Sequence, residues 1–422
     1  MSRTRLHAAL LIAALLASCA TTREPAQTQF QTLGFLAFGD TGYHYDYLEP
    51  KVLNKVLSPE QYLMAERKKW SGDKLPLEDF KPAPLHRLES TGGMVMASGL
   101  EPVAKAMRNF CENADCAFAI MLGDNIYPNG ATLGADGRDD VTRFRTLFTE
   151  PFGTLGKGRP GFAIYPALGN HDWRTSRAGA EAEVAFLREN PPFEMRGLFY
   201  RVLPPAAHGQ VEIFVIDTHV MLAGTTVYED KLDSNGNELP PDELEQPDAW
   251  AKPSNDAERG MQQWLDDALR SSTARWKIVM GHHPLWSSSG GKFEQARALR
   301  KLILPSLCRY ADAYLAGHEH TLEVHTDDCA EALGQATDVP LLQVVSGAGA
   351  KQRGVNRLFA AQQLRKYPQL RSMTATGMVW GFTHLTLDMD RLTVRVITTP
   401  NDGSGTAVET HVSKYRHRSS VQ

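Results

Sequence analysis

Past its first residues, the sequence lacks long hydrophobic runs, excess charge of one sign and internal repeats. No later stretch approaches about 18 consecutive apolar residues, so no membrane-spanning helix is predicted. The net charge of -4 and the isoelectric point near 6.4 leave no basic surface for a nucleic acid, and we exclude that class of partner. What the chain does have is 422 residues at 42% hydrophobic content, enough for one large or two medium domains.

The N-terminal segment has the pattern of an export signal. Arg3 and Arg5 precede an apolar stretch, residues 8–16, that is too short to span a bilayer. The quartet Leu16-Ala17-Ser18-Cys19 resembles the bacterial lipobox, in which the cysteine is lipidated and becomes the mature N-terminus. We expect a signal peptide over 1–18, a lipid anchor on Cys19 that attaches the chain to the membrane, and a tether over 19–30. An ordinary secretory peptide cut nearby is the alternative. The resemblance implies the periplasmic side or the cell surface, at the outer membrane, because position 20 is not aspartate.

Cysteine is scarce, with five in the chain. An even number remains after Cys19, and in an exported protein that number indicates disulfides. Of the three possible pairings, we favour Cys111–Cys116 and Cys308–Cys329 because each pair is close in sequence. None of these four cysteines lies in a motif that could hold a metal, so a thiolate metal site is not predicted.

Five segments share one pattern, an apolar run followed by glycine and then a side chain able to bind a metal. Such a run, closed by glycine, indicates a buried strand, and open α/β sheets place their sites in loops at the carboxyl ends of strands. The segments after the five runs are Gly39-Asp40, Gly123-Asp124-Asn125-Ile126-Tyr127, Gly169-Asn170-His171-Asp172, Gly281-His282-His283-Pro284 and Gly317-His318-Glu319-His320.

Strands alternate with helices early in the chain, while paired strands gather late, which predicts an α/β sandwich of mixed sheets with helices outside. We place one domain at 31–400, with insertions at about 45–90 and 226–254 and a solvated, basic C-terminal tail over 401–422. Helices are predicted near residues 60–70, 94–111, 140–148, 255–270 and 293–310. A hairpin is predicted from 382–387 and 392–397.

Seven side chains in these segments are potential metal ligands, and together they suit iron, zinc or manganese. They are Asp40, Asp124, Tyr127, Asn170, His282, His318 and His320. Seven donors are too many for one tetrahedral ion, so we predict two ions that share Asp124. Such pairs clamp the attacking and leaving oxygens of a phosphoryl group. A mononuclear site using Asp40, Asp124 and the histidines is the alternative.

The five segments, in this order, resemble the metallophosphoesterase superfamily (calcineurin-like). The tyrosine three residues after the second aspartate makes the chain most similar to the purple acid phosphatases, in particular their tartrate-resistant acid phosphatase-like branch. This resemblance implies a four-layer α/β/β/α sandwich of two mixed β-sheets flanked by helices. It also implies Fe(III) held by Asp40, Asp124, Tyr127 and His320, and Fe(II), Zn or Mn held by Asp124, Asn170, His282 and His318.

The activity that the resemblance implies is hydrolysis of phosphomonoesters by in-line attack of a metal-bound hydroxide. His171 would protonate the leaving group, and Asp172 would orient His171. The alternatives are a phosphodiesterase on the same fold and a non-catalytic, metal-stabilised surface lipoprotein that binds a partner.

One departure from the purple acid phosphatases concerns the segment after Pro284, where they usually carry a further histidine. Residues 285–292 contain none. Lys292 or a serine hydroxyl of this segment is a candidate to contact the phosphate instead. His44 and His283 are further candidates for substrate contacts, although for His283 packing is the favoured interpretation.

Overall fold

Two large mixed β-sheets form the centre of the fold, with helices flanking them. A computed structural model describes residues 30–227, 247–290 and 293–418. Within these ranges the strands are β1 (Leu33–Phe38), β2 (Leu85–Arg87), β3 (Met94–Met96), β4 (Phe118–Met121), β5 (Ile164–Pro166), β6 (Tyr200–Val202), β7 (Val211–Val215), β8 (Trp276–Met280), β9 (Ala313–Ala316), β10 (Leu322–Asp327), β11 (Leu341–Ser346), β12 (Leu370–Thr376), β13 (Trp380–Leu387), β14 (Arg391–Thr399) and β15 (Val408–Arg416).

The helices begin and end as follows in the same ranges. They are α1 (Pro50–Leu53), α2 (Pro59–Gly72), α3 (Leu100–Asn113), α4 (Asp140–Phe144), α5 (Glu150–Phe152), α6 (Asn170–Trp173), α7 (Arg177–Glu189), α8 (Thr218–Ala223), α9 (Asp256–Arg259), α10 (Met261–Ser271), α11 (Phe293–Tyr310), α12 (Ala330–Leu333) and α13 (Arg357–Lys366). None of the described helices is both long enough and apolar enough to span a membrane.

The first sheet has the order β15-β14-β13-β1-β4-β5, and the second has the order β12-β10-β11-β9-β8-β7-β6. Strands β1, β4 and β5 run parallel to one another, as do β7, β8, β9 and β11. These parallel strands are almost entirely apolar and buried, as expected for strands covered on both faces. Because their carboxyl ends lie at a common edge, the loops that follow them can meet there.

The two sheets contact each other through a few strands near the site. Strands β10 and β11 of the second sheet contact β13 of the first. The hydroxyl of Ser346, at the end of β11, donates to the carbonyl of Ala37 in β1 (2.7 Å). On the outer side of the first sheet, α3 packs against β13 and β14, where Phe110 lies 5.8 Å from the ring of Phe382. The α/β sandwich of two mixed sheets predicted from the sequence is therefore confirmed.

Several predicted boundaries need correction. The helix predicted over 94–111 begins only at Leu100, because the three residues from Met94 to Met96 pair with β2 instead. The helix predicted over 255–270 is divided by Gly260 into α9 and α10. The helix predicted over 140–148 is α4 followed by a π-helical turn, Arg145–Thr149.

The predicted tail is also different from the structure, because residues 408–416 form β15 and pair with β14. Arg418 is buried rather than solvated, and its guanidinium donates to the carbonyls of Val339 and Cys308 (both within 2.9 Å). The predicted disulfides Cys111–Cys116 and Cys308–Cys329 are both present. The signal peptide, Cys19, most of the insertion at 226–254 and Lys292 lie outside the described residues.

Candidate metal centre

The loops that carry the predicted ligands leave their strands through unusual backbone conformations. Asp40, Asp124 and His318 have φ angles of 56°, 53° and 70°. Non-glycine residues rarely adopt this left-handed region, and such strain concentrates where a side chain must be aimed. Each of the three follows directly after a glycine at the end of a parallel strand.

Two glycines of the five segments are required because the strand ends approach very closely. A Cβ on Gly169 would lie 2.3 Å from Oδ1 of Asp124, and one on Gly317 would lie 2.6 Å from Oδ2 of Asp40. Gly317 belongs to the second sheet and Asp40 to the first, so this glycine allows the two sheets to meet at the site. The apolar-run-plus-glycine pattern therefore reflects close packing at the site as well as strand termination.

The first group of predicted ligands surrounds the phenol of Tyr127. Its Oη lies 2.8 Å from Oδ1 of Asp40, 2.6 Å from Oδ2 of Asp124 and 3.0 Å from Nε2 of His320. His320 is in turn 3.4 Å from Asp40. A phenol carries a single proton, so one O–H cannot satisfy two carboxylates and an imidazole together. A cation among these four side chains would satisfy them all.

The second group surrounds Nε2 of His282. This atom lies 3.3 Å from Oδ1 of Asp124, 3.2 Å from Oδ1 of Asn170 and 3.1 Å from Nδ1 of His318. Nδ1 of His318 is 3.0 Å from the same Asn170 oxygen. Ligand atoms of Asp124, His282 and His318 all lie within 4.8 Å of one another, a spacing that suits a metal ion.

The hydrogen bond behind His282 supports a metal ligand in this position. Nδ1 of His282 lies 2.8 Å from the carbonyl of Leu122, to which it can only donate. When the ring is neutral, it therefore presents the lone pair of Nε2 to a site that is otherwise lined by oxygen and nitrogen acceptors. Metal-binding histidines are commonly held by this kind of bond from the second ring nitrogen.

Asp124 belongs to both groups, because its Oδ2 faces Tyr127 and its Oδ1 faces His282. It is almost completely buried. Burial alone would raise its pKa, but the neighbouring rings of His282 and His171 hold the pKa well below its ordinary value. This carboxylate therefore stays ionised and can offer one oxygen to each of two cations.

The pKa values of the other ligands show how strongly charge is concentrated here. Burial, with a smaller contribution from the charge of Asp124, raises the pKa of Asp40 to about 7, against the opposing effect of His282. Burial lowers the pKa of His282, but the charge of Asp124, a hydrogen bond with Asp124 and the charge of Asp40 together outweigh it and bring the pKa to about 9. Without cations these groups retain protons that bound metal ions would displace.

His171 lies beside Asp124 at the edge of the two groups. Its backbone N–H donates to Oδ1 of Asp124 (2.8 Å), and its ring Nδ1 lies 2.6 Å from the carbonyl of Pro128. Nε2 is then on the side of Asp124, 4.0 Å from Oδ2. Burial lowers the pKa of His171 to about 3, and the nearby charge of Asp124 offsets this only in part, so the ring is neutral.

Asp172 does not orient His171, which corrects the role expected from its place in the sequence. Its two oxygens instead accept backbone N–H groups of Asn125, Ile126 and Gly169, at 2.7–2.9 Å. Asp172 therefore ties the loop after β4 to the loop after β5. The carbonyl of Pro128 holds the ring of His171 in its place.

The candidate substrate contacts fall in different surroundings. His44 accepts a hydrogen bond from Asp46 N–H (3.3 Å), and its ring lies 4.4 Å from that of Tyr45, so its described contacts are local. His283 packs 4.5 Å from the ring of His318, and its Nδ1 lies 2.8 Å from the hydroxyl of Thr218, which agrees with the packing interpretation.

The serines after Pro284 are turned toward the interior of the second sheet. Ser288, Ser289 and Ser287 are buried, and the backbone N–H of Ser288 donates to the carboxylate of Glu323 (2.7 Å). The hydroxyl of Ser289 lies 3.5 Å from the same carboxylate. These contacts give no support to a serine as the group that contacts phosphate.

Sequence reasoning missed Lys351, which lies in the loop after β11. Its Nζ is 4.3 Å from the ring centroid of Tyr127. Burial and the positive charges of Arg353 and Lys69 lower the pKa of Lys351 to about 7. The signal that could have identified Lys351 is the parallel strand β11, whose carboxyl end lies at the same edge as the other loops of the site. No glycine-then-ligand pattern drew attention to this loop.

The family model described as calcineurin-like phosphoesterase matches residues 35–322, a range that holds all seven predicted ligands. The chain belongs to this family. Purple acid phosphatase 17 of Arabidopsis thaliana is 32% identical over 252 residues, or 59% of this chain and 63% of the relative. Tartrate-resistant acid phosphatase type 5 of Mus musculus is 27% identical over 228 residues, or 53% of this chain and 61% of the relative. The matches thus span less than two thirds of these curated relatives.

Solved structures support the fold of this phosphoesterase-family chain. GAP50, described as the anchor in the inner membrane complex of Plasmodium, gives a TM-score of 0.55 at 16% identity and covers 92% of this chain and 90% of that chain. Purple acid phosphatase PPD1 from yellow lupin seeds gives a TM-score of 0.50 at 14% identity, over 92% of this chain and 54% of that chain. At these identities the likeness concerns the fold alone.

Proposed function

We propose that this chain is a dinuclear metal-dependent phosphatase that hydrolyses phosphomonoesters. The observation that supports this most is the position of Asp124, which has one oxygen toward Tyr127 and the other toward His282. We infer that Asp40, Asp124, Tyr127 and His320 hold one ion, and that Asp124, Asn170, His282 and His318 hold the other. The acid phosphatases among the curated relatives support the same activity.

The donor set favours different ions in the two positions. The phenol and the carboxylates suit a hard, highly charged ion, and we propose Fe(III) there. The position with two imidazoles and an amide suits Fe(II), Zn or Mn. When bound, such a pair supplies an activated water and neutralises the charge of the phosphoryl group.

We assign to His171 the transfer of a proton to the leaving oxygen. The bond between its Nδ1 and the Pro128 carbonyl fixes the ring plane, and its backbone bond to Asp124 fixes its distance from the ligands. Nε2 then faces the site and can hold a proton at the atom nearest a bound ester. Burial disfavours the protonated ring, and a phosphate dianion beside it restores that form.

The experiment that tests the proposed function is a substrate panel on the metal-reconstituted protein. We expect p-nitrophenyl phosphate to be hydrolysed faster than bis-p-nitrophenyl phosphate, and activity to be lost on chelation and restored by iron with zinc or manganese. Faster cleavage of the diester would contradict this proposal and indicate a phosphodiesterase.

A non-catalytic binding role is the second candidate. It is favoured by one observation, that GAP50, the anchor in the inner membrane complex of Plasmodium, shares the fold over 92% of this chain. A metal-loaded protein that hydrolyses no phosphate ester but binds a partner tightly would support this role.

We also propose that the chain is exported and lipid-anchored through Cys19. The two disulfides favour an oxidising compartment outside the cytoplasm. Metabolic labelling with palmitate should mark the wild-type chain and leave Cys19→Ser unlabelled; equal labelling of both would reject the anchor.

A further inference from the structure

The loop after β11 is fixed against the loops that carry the first group of ligands. The backbone N–H of Ala350 donates to the carbonyl of Asp40 (3.1 Å), and that of Arg353 donates to the carbonyl of His320 (3.0 Å). Lys351 lies between these two bonds. Its backbone position is therefore determined by the same loops that carry the ligands of the first group.

The ammonium of Lys351 lies at the site without a charged partner of its own. Its Nζ is 4.3 Å from the ring of Tyr127 and 5.9 Å from the ring of Tyr43. Among the described residues, it makes no hydrogen bond and no ion pair. The neighbouring cation, Arg353, is paired with the buried carboxylate of Glu319, so that carboxylate is already engaged. Lys351 is half-buried, and its ammonium offers three N–H donors to an anion that binds beside the ligands.

The insertion at 45–90 holds this loop from outside. Gly354 packs so closely on the ring of Trp70, in α2, that an added Cβ would lie 2.3 Å from it. The side chain of Asn356 donates to the carbonyl of Lys74 (3.3 Å), and Arg357 pairs with Asp79 (2.6 Å). These contacts keep the loop, and Lys351 with it, against the ligands.

From this geometry we infer that Lys351 contacts a phosphate oxygen of the bound ester and favours dianionic monoesters over monoanionic diesters. The inference rests on the proposed phosphatase function and names its substrate preference. Metal ions would engage the carboxylates of Asp40 and Asp124, so the phosphate is the remaining anion available to the ammonium. A monoester at neutral pH carries one more negative charge than a diester, and a fixed cation therefore attracts it more strongly.

The first test is the binding of inorganic phosphate to the metal-loaded protein, measured by titration calorimetry. We expect Lys351→Gln to bind phosphate roughly ten- to hundredfold more weakly, since it loses a charged hydrogen bond. Lys351→Arg should stay within about threefold of wild type because it keeps the charge. Lys68→Gln is the matched control, since it removes the same charge from an exposed position on helix α2 and should leave binding unchanged.

The second test is the ratio of kcat/KM for p-nitrophenyl phosphate to that for bis-p-nitrophenyl phosphate. In Lys351→Gln the monoester value should fall about ten- to hundredfold and the diester value by less than about threefold. Lys351→Met serves as a second variant if the glutamine variant does not take up metal. Unchanged phosphate affinity, or equal losses for both esters, would overturn the inference. A wild-type protein that binds phosphate through Lys351 but hydrolyses no ester would overturn the proposed function alone.

Discussion

The two sheets contribute different side chains to the candidate metal centre. The first sheet supplies every proposed oxygen ligand, from Asp40 after β1, Asp124 and Tyr127 after β4, and Asn170 after β5. The second supplies every nitrogen ligand, from His282 after β8 and from His318 and His320 after β9. Neither sheet holds a complete set for either ion. The centre therefore exists only where the sheets meet, and we expect bound ions to cross-link them.

Asp124 belongs to both groups of ligands, so its substitution has the largest expected effect on activity and metal content. Asp124→Asn keeps the side chain's shape and can still accept from His171 N–H, but it offers one neutral oxygen in place of a charged bridge. We expect kcat to fall by at least about three orders of magnitude and the metal content to fall below two ions per chain. Full metal content with near-normal kcat would contradict the shared-ligand arrangement. Steady-state kinetics and elemental analysis measure both.

Removing the metal ions should loosen the connection between the sheets. A ligand present at about a thousand times its dissociation constant stabilises the folded state by roughly 4 kcal/mol. We therefore expect chelation to lower the melting temperature of wild type by about 5–15 °C in calorimetry. The same chelator should have little effect on Asp124→Asn. An unchanged wild-type melting temperature would mean that the ions do not hold the sheets together.

Tyr127→Phe removes an oxygen ligand from the first group alone and therefore separates the two positions. We expect the visible absorption of a tyrosinate–iron(III) pair to disappear, while the metal at the His282 and His318 position is retained. The rate should fall by roughly ten- to hundredfold, as for the loss of a group that tunes a metal site. Asn170→Ala is the reciprocal control and should keep the band while losing the second metal. If the visible absorption band persists in Tyr127→Phe, the band arises from another residue.

Glu183 contacts the loop after β4, which carries Asp124 and Tyr127. Its substitution should have the smallest effect, and we expect that effect in the stability of the fold rather than in the rate of hydrolysis. It accepts a hydrogen bond from the side chain of Asn125 (2.9 Å), and burial raises its pKa to about 8. A raised folded pKa means that the stabilising, protonated form is fully present below about pH 4.5 and is lost as the pH rises toward 8. Glu183→Gln should remove this loss. In urea unfolding, its stability relative to wild type should increase from pH 5 to pH 8; a constant difference would contradict the assignment.

The proposed oxygen and nitrogen ligands could be predicted from the sequence because they lie in segments that carry a complete local signal. At Asp124 and His282, a buried apolar strand, a glycine that permits close approach and a polar side chain occur in order. Parallel strands then bring such positions to one edge. The fold class follows from the same run of strands and helices.

Other features depend on contacts between distant segments and carry no such signal. Strand β10, Leu322–Asp327, has a largely polar sequence but is buried. Its burial is tolerated because Glu323 and His325 pair with each other inside the sheet (2.7 Å). Asp172 adjoins His171 in sequence, but the backbone of another loop lies closer to its oxygens. Lys351 lies close to the ring of Tyr127 only because β11 lies beside β9 and the 45–90 insertion packs on the loop that follows.

Anomalous diffraction from crystals of the metal-loaded protein tests the central claim most directly. We predict two peaks about 3.5–4 Å apart, one next to each carboxylate oxygen of Asp124. The Tyr127 oxygen should lie beside one peak and the His282 ring beside the other. A single peak, or two peaks of which only one contacts Asp124, would contradict the account.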